Sequence, residues 1–207
     1  MCGRYQLPNT PKAWAEVCDL LGLTSFAPPE PRHELRPTDA VPVVVNAEPR
    51  ELTQARWWLE GPWSEGPRKL TLFNARDDGL TRRFWRQLAE TQRCLLPASA
   101  FIEWRKVGGR AKQRVKVALA EGRPFAMAGL WNRWQGNLSC TILTTSANEL
   151  MVPIHNRMPV ILPHSLYSAW LSPEPIPITA VQSMLTPYDS TDMSAVDEDT
   201  SPQGSLF

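Results

Sequence analysis

Residues 94–131 have the sequence CLLPASAFIEWRKVGGRAKQRVKVALAEGRPFAMAGLW. Four short strands are predicted in this stretch, over Cys94–Pro97, Ala100–Lys106, Arg114–Ala120 and Phe125–Trp131. Gly108-Gly109 and Glu121-Gly122 are typical of tight turns, so the last three strands are predicted to form consecutive hairpins. The stretch therefore predicts an antiparallel sheet.

The rest of the chain adds strands and helices on both sides of this stretch. Further strands are predicted over Ala40–Asn46, Gln54–Leu59, Leu70–Ala75, Leu138–Thr144 and Pro159–Leu162. Helices are predicted over Pro11–Leu23, Thr81–Glu90 with Thr81 as the cap, His164–Leu171 and Ile178–Leu185, with a helical turn at Ala147–Met151. Strands and helices do not alternate regularly, which indicates an α+β fold with a mainly antiparallel, barrel-like β core and flanking helices.

Length and composition exclude several classes of protein. The 207 residues suffice for one compact domain, and there is no apolar run of about 18 residues that would predict a transmembrane helix. The N-terminus lacks the charged and apolar regions of a secretory signal. Four separated cysteines without a C-x-x-C pair, and only three histidines, give no zinc pattern. We therefore expect a monomer in a reducing compartment, cytoplasm or nucleus, with no metal, cofactor or membrane partner.

Charge is unevenly distributed along the chain. The net charge is +1, but residues from Asp189 onward carry five acidic side chains and no Lys or Arg, so residues 1–188 carry about +6. We expect a folded domain over 1–188 and an acidic disordered tail over 189–207. Most basic residues are arginines, and there are nine tryptophans. This composition suits a single-stranded nucleic-acid surface, and it fits equally well a core of tryptophans with solvated arginines.

The N-terminal residues Met1-Cys2-Gly3-Arg4 predict a specific reactive group. Removal of Met1 would leave Cys2 with a free α-amine beside its thiol, a 1,2-aminothiol. This group condenses with an aldehyde through an imine and closes to a thiazolidine, a ring closure that a high effective molarity favours. The alternative is that Cys2 is only a buried strand residue.

Three further polar residues are candidates for chemistry. Asn74 stands at the end of a predicted strand, and Glu103 lies among large apolar side chains, where desolvation suits a carboxyl group to proton transfer near neutral pH. His155 is followed by Asn156 and Arg157. The alternatives are a salt bridge for Glu103, to Arg105 or Arg76, and a structural role for His155.

Together these segments resemble the SRAP family, the SOS response-associated peptidase-like proteins that crosslink to abasic sites in single-stranded DNA. The matching segments are Met1–Tyr5, Phe73–Arg76, Arg93–Ala98, Phe101–Trp104, Ala128–Trp131 and Thr141–Leu162 with His155–Pro159. They follow the family order over residues 1 to about 171. Several motifs in register make the resemblance specific.

The resemblance implies both the reaction and the roles of the residues. Cys2 would crosslink to the ring-opened sugar aldehyde as a thiazolidine and shield the lesion. Asn74 would bond the sugar or the closing ring, Glu103 would shuttle protons, and His155 would assist ring opening, AP-lyase strand scission or reversal. The residues placed on DNA are Arg4, Arg76 and Arg157, which would grip phosphates, and the loop residues Trp57 and Trp63. The expected location is the cytoplasm, in association with the nucleoid.

Some segments depart from the family pattern. Glu34-Leu35-Arg36-Pro37 stands where Asn-x-Ala-Pro is usual, Trp57-Trp58-Leu59 replaces Trp-Gly-Leu, and Asp77-Asp78 replaces a Glu. The first two changes bear on strand preference and affinity. The terminal Gln203–Phe207 resembles peptides that dock bacterial sliding clamps, which predicts a tether.

Two other functions stay open on the sequence. Cys2 could act with His155 in a thiol peptidase that cleaves itself or other proteins. Alternatively, the chain could be a non-covalent single-stranded DNA-binding module in which Cys2 is incidental.

Overall fold

The structure is a computed structural model that describes residues 2–23, 29, 34–65, 70, 72–109 and 111–198. Its strands are β1 (Arg4–Gln6), β2 (Ala40–Val45), β3 (Leu52–Trp57), β4 (Asn74–Arg76), β5 (Arg93–Ala98), β6 (Ala100–Gly108), β7 (Ala111–Leu119), β8 (Phe125–Trp134), β9 (Asn137–Ser146), β10 (Arg157–Pro159) and β11 (Met193–Glu198). Its α-helices are α1 (Pro11–Leu21), α2 (Arg83–Thr91), α3 (Tyr167–Trp170) and α4 (Ile178–Met184).

Five strands close into a barrel. The order β9-β3-β2-β5-β8 returns to β9 because β8 also pairs with β9, and the β3–β9 pairing is parallel while the others are antiparallel. Strands β4 and β10 extend β9 beyond the ring. A second, antiparallel sheet has the order β1-β6-β7-β11. The predicted α+β fold with a barrel-like, mainly antiparallel core is thus confirmed.

A glycine allows the barrel wall to close at β8. A Cβ atom built on Gly129 would lie 2.5 Å from Leu96 Cδ1 and 2.7 Å from the carbonyl oxygen of Thr141. Strands β5 and β9 therefore approach this position too closely for a side chain.

Helix α1 follows from local sequence rules. The Thr10 hydroxyl accepts a hydrogen bond from the Ala13 N–H (3.2 Å), and Gly22 ends the helix with φ of 66°. The buried face of the helix includes Trp14 and Leu21. The predicted Thr81 cap is wrong, because α2 begins at Arg83 and no side chain caps it.

The ends of α2 and α3 meet at Arg93, which is fully buried. Its guanidinium donates to carbonyl oxygens only, namely those of Ala89, Glu90, Trp170, Ser172 and Glu174. These carbonyls lie at and just beyond the C-terminal ends of the two helices, where the helix dipole favours a cation. Burial lowers the pKa of Arg93 to about 10, so the side chain stays charged at neutral pH.

Two element predictions near β10 need a change of bounds. The predicted helical turn at Ala147–Met151 is present one residue later, because the Asn148 carbonyl accepts from the N–H groups of Met151 and Val152, the second of these in the spacing of an α-helix. The strand predicted from Pro159 to Leu162 begins earlier, at Arg157, and ends at Pro159.

The predicted disorder from Asp189 onward is wrong for residues 189–198. Strand β11 pairs with β7 from Met193 opposite Leu119 to Glu198 opposite Arg114. Asp192 and Asp197 also pair with arginines, Arg123 and Arg105 respectively. These two acidic side chains are thus neutralised by arginines of the domain, which extends at least to Glu198. The predicted clamp-binding peptide, residues 203–207, lies outside the described residues and stays a prediction.

Across the helices that the structure describes, none combines the length and the apolar character needed to cross a membrane.

Candidate active site

Cys2 lies two residues before β1 and is fully buried. Its Sγ is 3.5 Å from the carbonyl oxygen of Arg4, and β1 pairs with β6 so that Arg4 faces Ile102. Burial, and then the negative charge of Glu103, raise the pKa of the Cys2 thiol. The thiol is therefore protonated at neutral pH and lies within electrostatic range of Glu103.

Asn74 holds Cys2 in place. Its Nδ2 donates to the Cys2 carbonyl oxygen at 2.7 Å. Strand β4 brings it there by lying parallel to β9, with Asn74 opposite Ile142. The amide oxygen Oδ1 of Asn74 is buried and accepts no hydrogen bond from the described residues, so one acceptor remains beside Cys2.

Glu103 lies in β6 opposite Val115 and is 2% exposed, more buried than the sequence suggests. Of its predicted salt-bridge partners, Arg105 pairs with Asp197 and Arg76 with Asp78. The proximity of Glu103 to the Cys2 thiol is what distinguishes its position. The structure thus brings Cys2, Asn74 and Glu103 together.

His155 belongs to the turn before β10. The Arg157 backbone N–H donates to His155 Nδ1 at 3.0 Å. Nδ1 also lies 3.1 Å from the Arg157 carbonyl oxygen, so the backbone of Arg157 holds the position of the imidazole ring. The Arg157 side chain then connects this turn to Asp77 (2.6 Å), three residues beyond Asn74.

The three predicted phosphate-binding arginines all pair with carboxylates. Arg76 is exposed and binds Asp78 through two nitrogens, at 3.0 and 2.5 Å. Arg157 is 8% exposed and uses Nη2 for Asp77 and for the Thr144 carbonyl. The prediction that Arg157 grips phosphate is wrong, because its buried guanidinium joins β9, β10 and the segment after β4.

Arg4, the third of these arginines, donates to Glu34 at 2.5 Å and stacks over the Trp104 ring, with 5.4 Å from its Cζ to the ring centroid.

The two predicted DNA-binding tryptophans differ in position. Trp57 is fully buried, donates from Nε1 to the Phe73 carbonyl (2.7 Å) and packs edge-on against Tyr5. Its assignment to the DNA surface is therefore wrong. Trp63 is partly exposed and makes an edge contact with Phe84, with 4.4 Å between ring centroids. Trp63 stays a prediction for base stacking.

Two features near Cys2 escaped the sequence analysis. Tyr5 is fully buried, and its hydroxyl makes no hydrogen bond within the described part of the chain. Glu34 binds both Arg4 and Arg114. The position of Tyr5 in β1 was a sequence signal from which its burial could have been predicted. Glu34 and Arg114 are 80 residues apart, so no local sequence pattern indicates that they pair.

No group of three or more His, Cys, Asp or Glu side chains suited to a metal ion occurs within the residues that the structure describes.

Fold and site now define the class of protein. The sequence model of the family described as SOS response associated peptidase (SRAP) matches residues 1–200, and the chain belongs to this family.

Individual relatives carry a more specific name. Abasic site processing protein YoaM of Bacillus subtilis (strain 168) is 32% identical over 206 residues, which cover 94% of this chain and 89% of the relative. Abasic site processing protein YedK of Escherichia coli (strain K12) is 26% identical over 184 residues, which cover 84% and 81%. A crystal structure of a protein from Bordetella bronchiseptica matches with a TM-score of 0.79 at 25% identity, covering 96% of this chain and 100% of that one.

Proposed function

We propose that this protein recognises abasic sites in single-stranded DNA and captures the ring-opened sugar aldehyde through Cys2, after removal of Met1. One observation carries the proposal: Asn74 fixes the Cys2 carbonyl at 2.7 Å, while Glu103 lies close enough to raise the pKa of the Cys2 thiol. The relatives are named abasic site processing proteins, and this supports the substrate.

The reaction balances with these side chains alone. In the structure the Cys2 nitrogen is a peptide nitrogen, and it stands in for the α-amine that loss of Met1 releases. The free amine adds to the aldehyde carbon, and loss of one water gives an imine. The thiol sulfur then adds to the imine carbon and its proton leaves, while the nitrogen takes up a proton. The products are a thiazolidine and one water.

Glu103 is placed to carry the proton in both steps. Its carboxylate can take a proton from the nitrogen as the amine adds to the aldehyde, give that proton to the departing hydroxyl group as water leaves, and then accept the thiol proton. Because burial and the charge of Glu103 disfavour a free thiolate, sulfur addition and transfer of its proton to Glu103 occur together in this scheme.

Asn74 and His155 have supporting roles in the proposal. Asn74 orients Cys2 through its Nδ2, and its unpartnered Oδ1 offers an acceptor to the amine or to a sugar hydroxyl. His155, held by the Arg157 backbone, assists opening of the sugar ring. The imine also permits AP-lyase chemistry, in which a base removes the C2′ proton and the 3′ phosphate leaves.

A peptidase function has less support. A cysteine nucleophile for peptide hydrolysis needs a depressed pKa, usually beside a histidine. Burial and Glu103 instead raise the pKa of the Cys2 thiol.

Intact-mass spectrometry with an abasic oligonucleotide tests the proposal. The expected species is the protein without Met1 plus the oligonucleotide, less one water. Cys2→Ala should abolish this species, and Cys18→Ala, the same substitution in α1, should preserve it. An adduct that survives in Cys2→Ala, or an active preparation that retains Met1, would contradict the mechanism. Equal non-covalent binding of abasic and intact strands without an adduct would favour a simple DNA-binding module.

A further inference from the structure

Glu34 places its carboxylate between two arginines. Oε1 is 2.5 Å from Arg4 Nη1, and Oε2 accepts from Arg114 Nη2. Arg36 Nε also lies 3.7 Å from Oε1. The Glu34 side chain is only 10% exposed and that of Arg114 17%. Two guanidinium groups that converge on one carboxylate form a site with the charge and donor geometry that an anion requires.

Both guanidinium groups are held by partners other than Glu34. Arg4 stacks over Trp104, and Arg114 donates from Nε to Glu198 Oε2 at 2.6 Å. Arg114 thus uses different nitrogens for its two carboxylates. Departure of Glu34 would leave the Arg4 Nη1 and Arg114 Nη2 donors free, with both guanidiniums still positioned.

The strand register places this pair beside the candidate active site. Arg4 is two residues from Cys2 and faces Ile102 across the β1–β6 pairing. Arg114 faces Trp104 across the β6–β7 pairing, so Arg4, Trp104 and Arg114 share one face of the sheet while Glu103 lies on the other. Because Arg4 is only two residues from Cys2, a single strand whose sugar reaches Cys2 would pass with a phosphate near these two arginines.

Glu34 remains ionised in this position. Burial alone would raise the pKa of its carboxyl group, but hydrogen bonds from Arg114 and Arg4 outweigh burial and hold the pKa below its ordinary value. At neutral pH the arginine pair therefore contains a fixed negative charge.

We propose that Arg4 and Arg114 form a phosphodiester-binding site, and that Glu34 occupies it in the DNA-free protein as an internal anion that the strand must displace. This inference rests on the proposed DNA function, to which it adds Arg114 as a binding residue and Glu34 as a competitor. A phosphodiester carries one negative charge, as Glu34 does, so the exchange preserves the local charge. The cost of displacing Glu34 lowers affinity for any strand.

The test compares the affinity of Glu34→Gln and the wild type for an undamaged single strand, by fluorescence anisotropy over a salt series. Removal of the internal anion should tighten binding roughly tenfold at low salt, the equivalent of one charge-assisted hydrogen bond. The slope of log affinity against log salt should steepen by about 0.7, because in the wild type the displaced Glu34 carboxylate takes up a counterion that offsets the one released from the phosphate. Glu16→Gln, which removes the same charge from the exposed side of α1, should change neither quantity appreciably.

The double variant Glu34→Gln/Arg114→Gln identifies the donor. If Arg114 binds the phosphate that Glu34 excludes, the double variant should lose most of the gain, and Arg114→Gln alone should bind more weakly than the wild type. Unchanged or absent binding in Glu34→Gln, or a gain that persists in the double variant, would overturn the inference. Thermal melting of each variant ensures that the comparison is made between folded proteins.

A phosphate-free substrate separates this inference from the proposed function. Adduct formation with 2-deoxyribose, followed by mass spectrometry, needs Cys2 but not the arginine site. Wild-type protein and the control variant Glu16→Gln should form this adduct at equal rates. Failure of the wild type to form it would contradict the capture chemistry, whereas the anisotropy data report on the arginine site alone.

Discussion

Replacement of Asn74 separates its role as a donor from its size. The Nδ2–Cys2 oxygen bond of 2.7 Å is a neutral hydrogen bond, worth about 0.5–1.5 kcal/mol net. If it orients the reacting residue, Asn74→Ala should slow crosslinking by roughly two- to tenfold. The isosteric Asn74→Asp should be slower still, because a carboxylate would face the Cys2 carbonyl oxygen and bring a second negative charge toward Glu103.

The expected decrease in the crosslinking rate of Asn74→Asp depends on the distance from the new carboxylate to the Cys2 nitrogen. Within one residue the amide nitrogen and carbonyl oxygen are about 3 Å apart, so the Asn74 amide lies within about 6 Å of that nitrogen. A carboxylate at this distance raises the pKa of an amine by about one unit, leaving about a tenfold smaller fraction of free amine at pH 7. The aspartate variant should therefore be about tenfold slower than the alanine variant near neutral pH.

Single-turnover crosslinking on denaturing gels, from pH 6 to pH 9.5, measures these rates. An ordinary α-amine has a pKa near 8, and that of the aspartate variant would be about one unit higher, so by about pH 9.5 the amine is mostly free in both variants and their rates should come within about twofold. Cys18→Ala provides the folded control. An aspartate variant as fast as the wild type, or an aspartate penalty that does not change with pH, would refute the assignment of Asn74.

Three further predictions concern stability and the DNA surface. Arg93→Met leaves five carbonyl oxygens without their donor. It should therefore lower the free energy of unfolding by about 3–5 kcal/mol, which corresponds to a decrease in melting temperature of roughly 10 °C. A decrease of less than about 2 °C would contradict this account of Arg93. The buried thiols of Cys2, Cys94 and Cys140 have raised pKa values in the folded protein, so stability is complete below about pH 8.5 and falls at higher pH, where only the unfolded chain loses these protons. Above about pH 9 the loss should approach 4 kcal/mol per pH unit, and urea titrations should show about one third less loss for Cys140→Ala; a flat profile would exclude this linkage. Trp63→Ala should weaken binding to an intact single strand by about 1–3 kcal/mol if one base stacks on the ring, and unchanged anisotropy would remove Trp63 from the DNA surface.

Local signals predicted the elements that depend on neighbouring residues. Gly108-Gly109 and Glu121-Gly122 lie at the two hairpin turns, and Gly22 ends α1. The backbone φ angle is positive at all five residues: Gly22, Gly108, Gly109, Glu121 and Gly122. The backbone at a turn is determined within a few residues, which is why the sequence suffices there.

The alternation of side chains in the predicted strand Gln54–Leu59 indicated that Trp57 is buried, but Trp57 was assigned to the DNA surface. In β3 the buried residues are Ala55 and Trp57, and Leu59 continues the period of two. This pattern places Trp57 on the inner face of the barrel. The parallel pairing of β3 with β9, however, joins residues 83 apart and could not be deduced from either strand alone.

Disorder was wrongly predicted for residues 189–198 for an electrostatic reason. Composition separated its acids from a basic body, but Asp192, Asp197 and Glu198 pair with arginines of that body. A strand whose side chains neutralise a neighbouring strand needs few apolar residues, and so it resembles disorder in the sequence. Charge totals by segment therefore cannot show which arginines remain available to a ligand.

The arginine pairs have a consequence for selectivity if the proposed function holds. Arg4 and Arg76 each bind a carboxylate, so a DNA strand gains little from them before those pairs open. Phosphate contacts are independent of sequence and of damage, and strong ones would retain the protein on every single strand. If electrostatic binding is weak, the protein leaves intact strands quickly. An abasic strand is retained because only its aldehyde forms a covalent bond with Cys2, so the chemical step distinguishes abasic from intact DNA. On this reasoning, variants that free the arginines, such as Glu34→Gln, should bind intact DNA more tightly and distinguish abasic from intact strands less well.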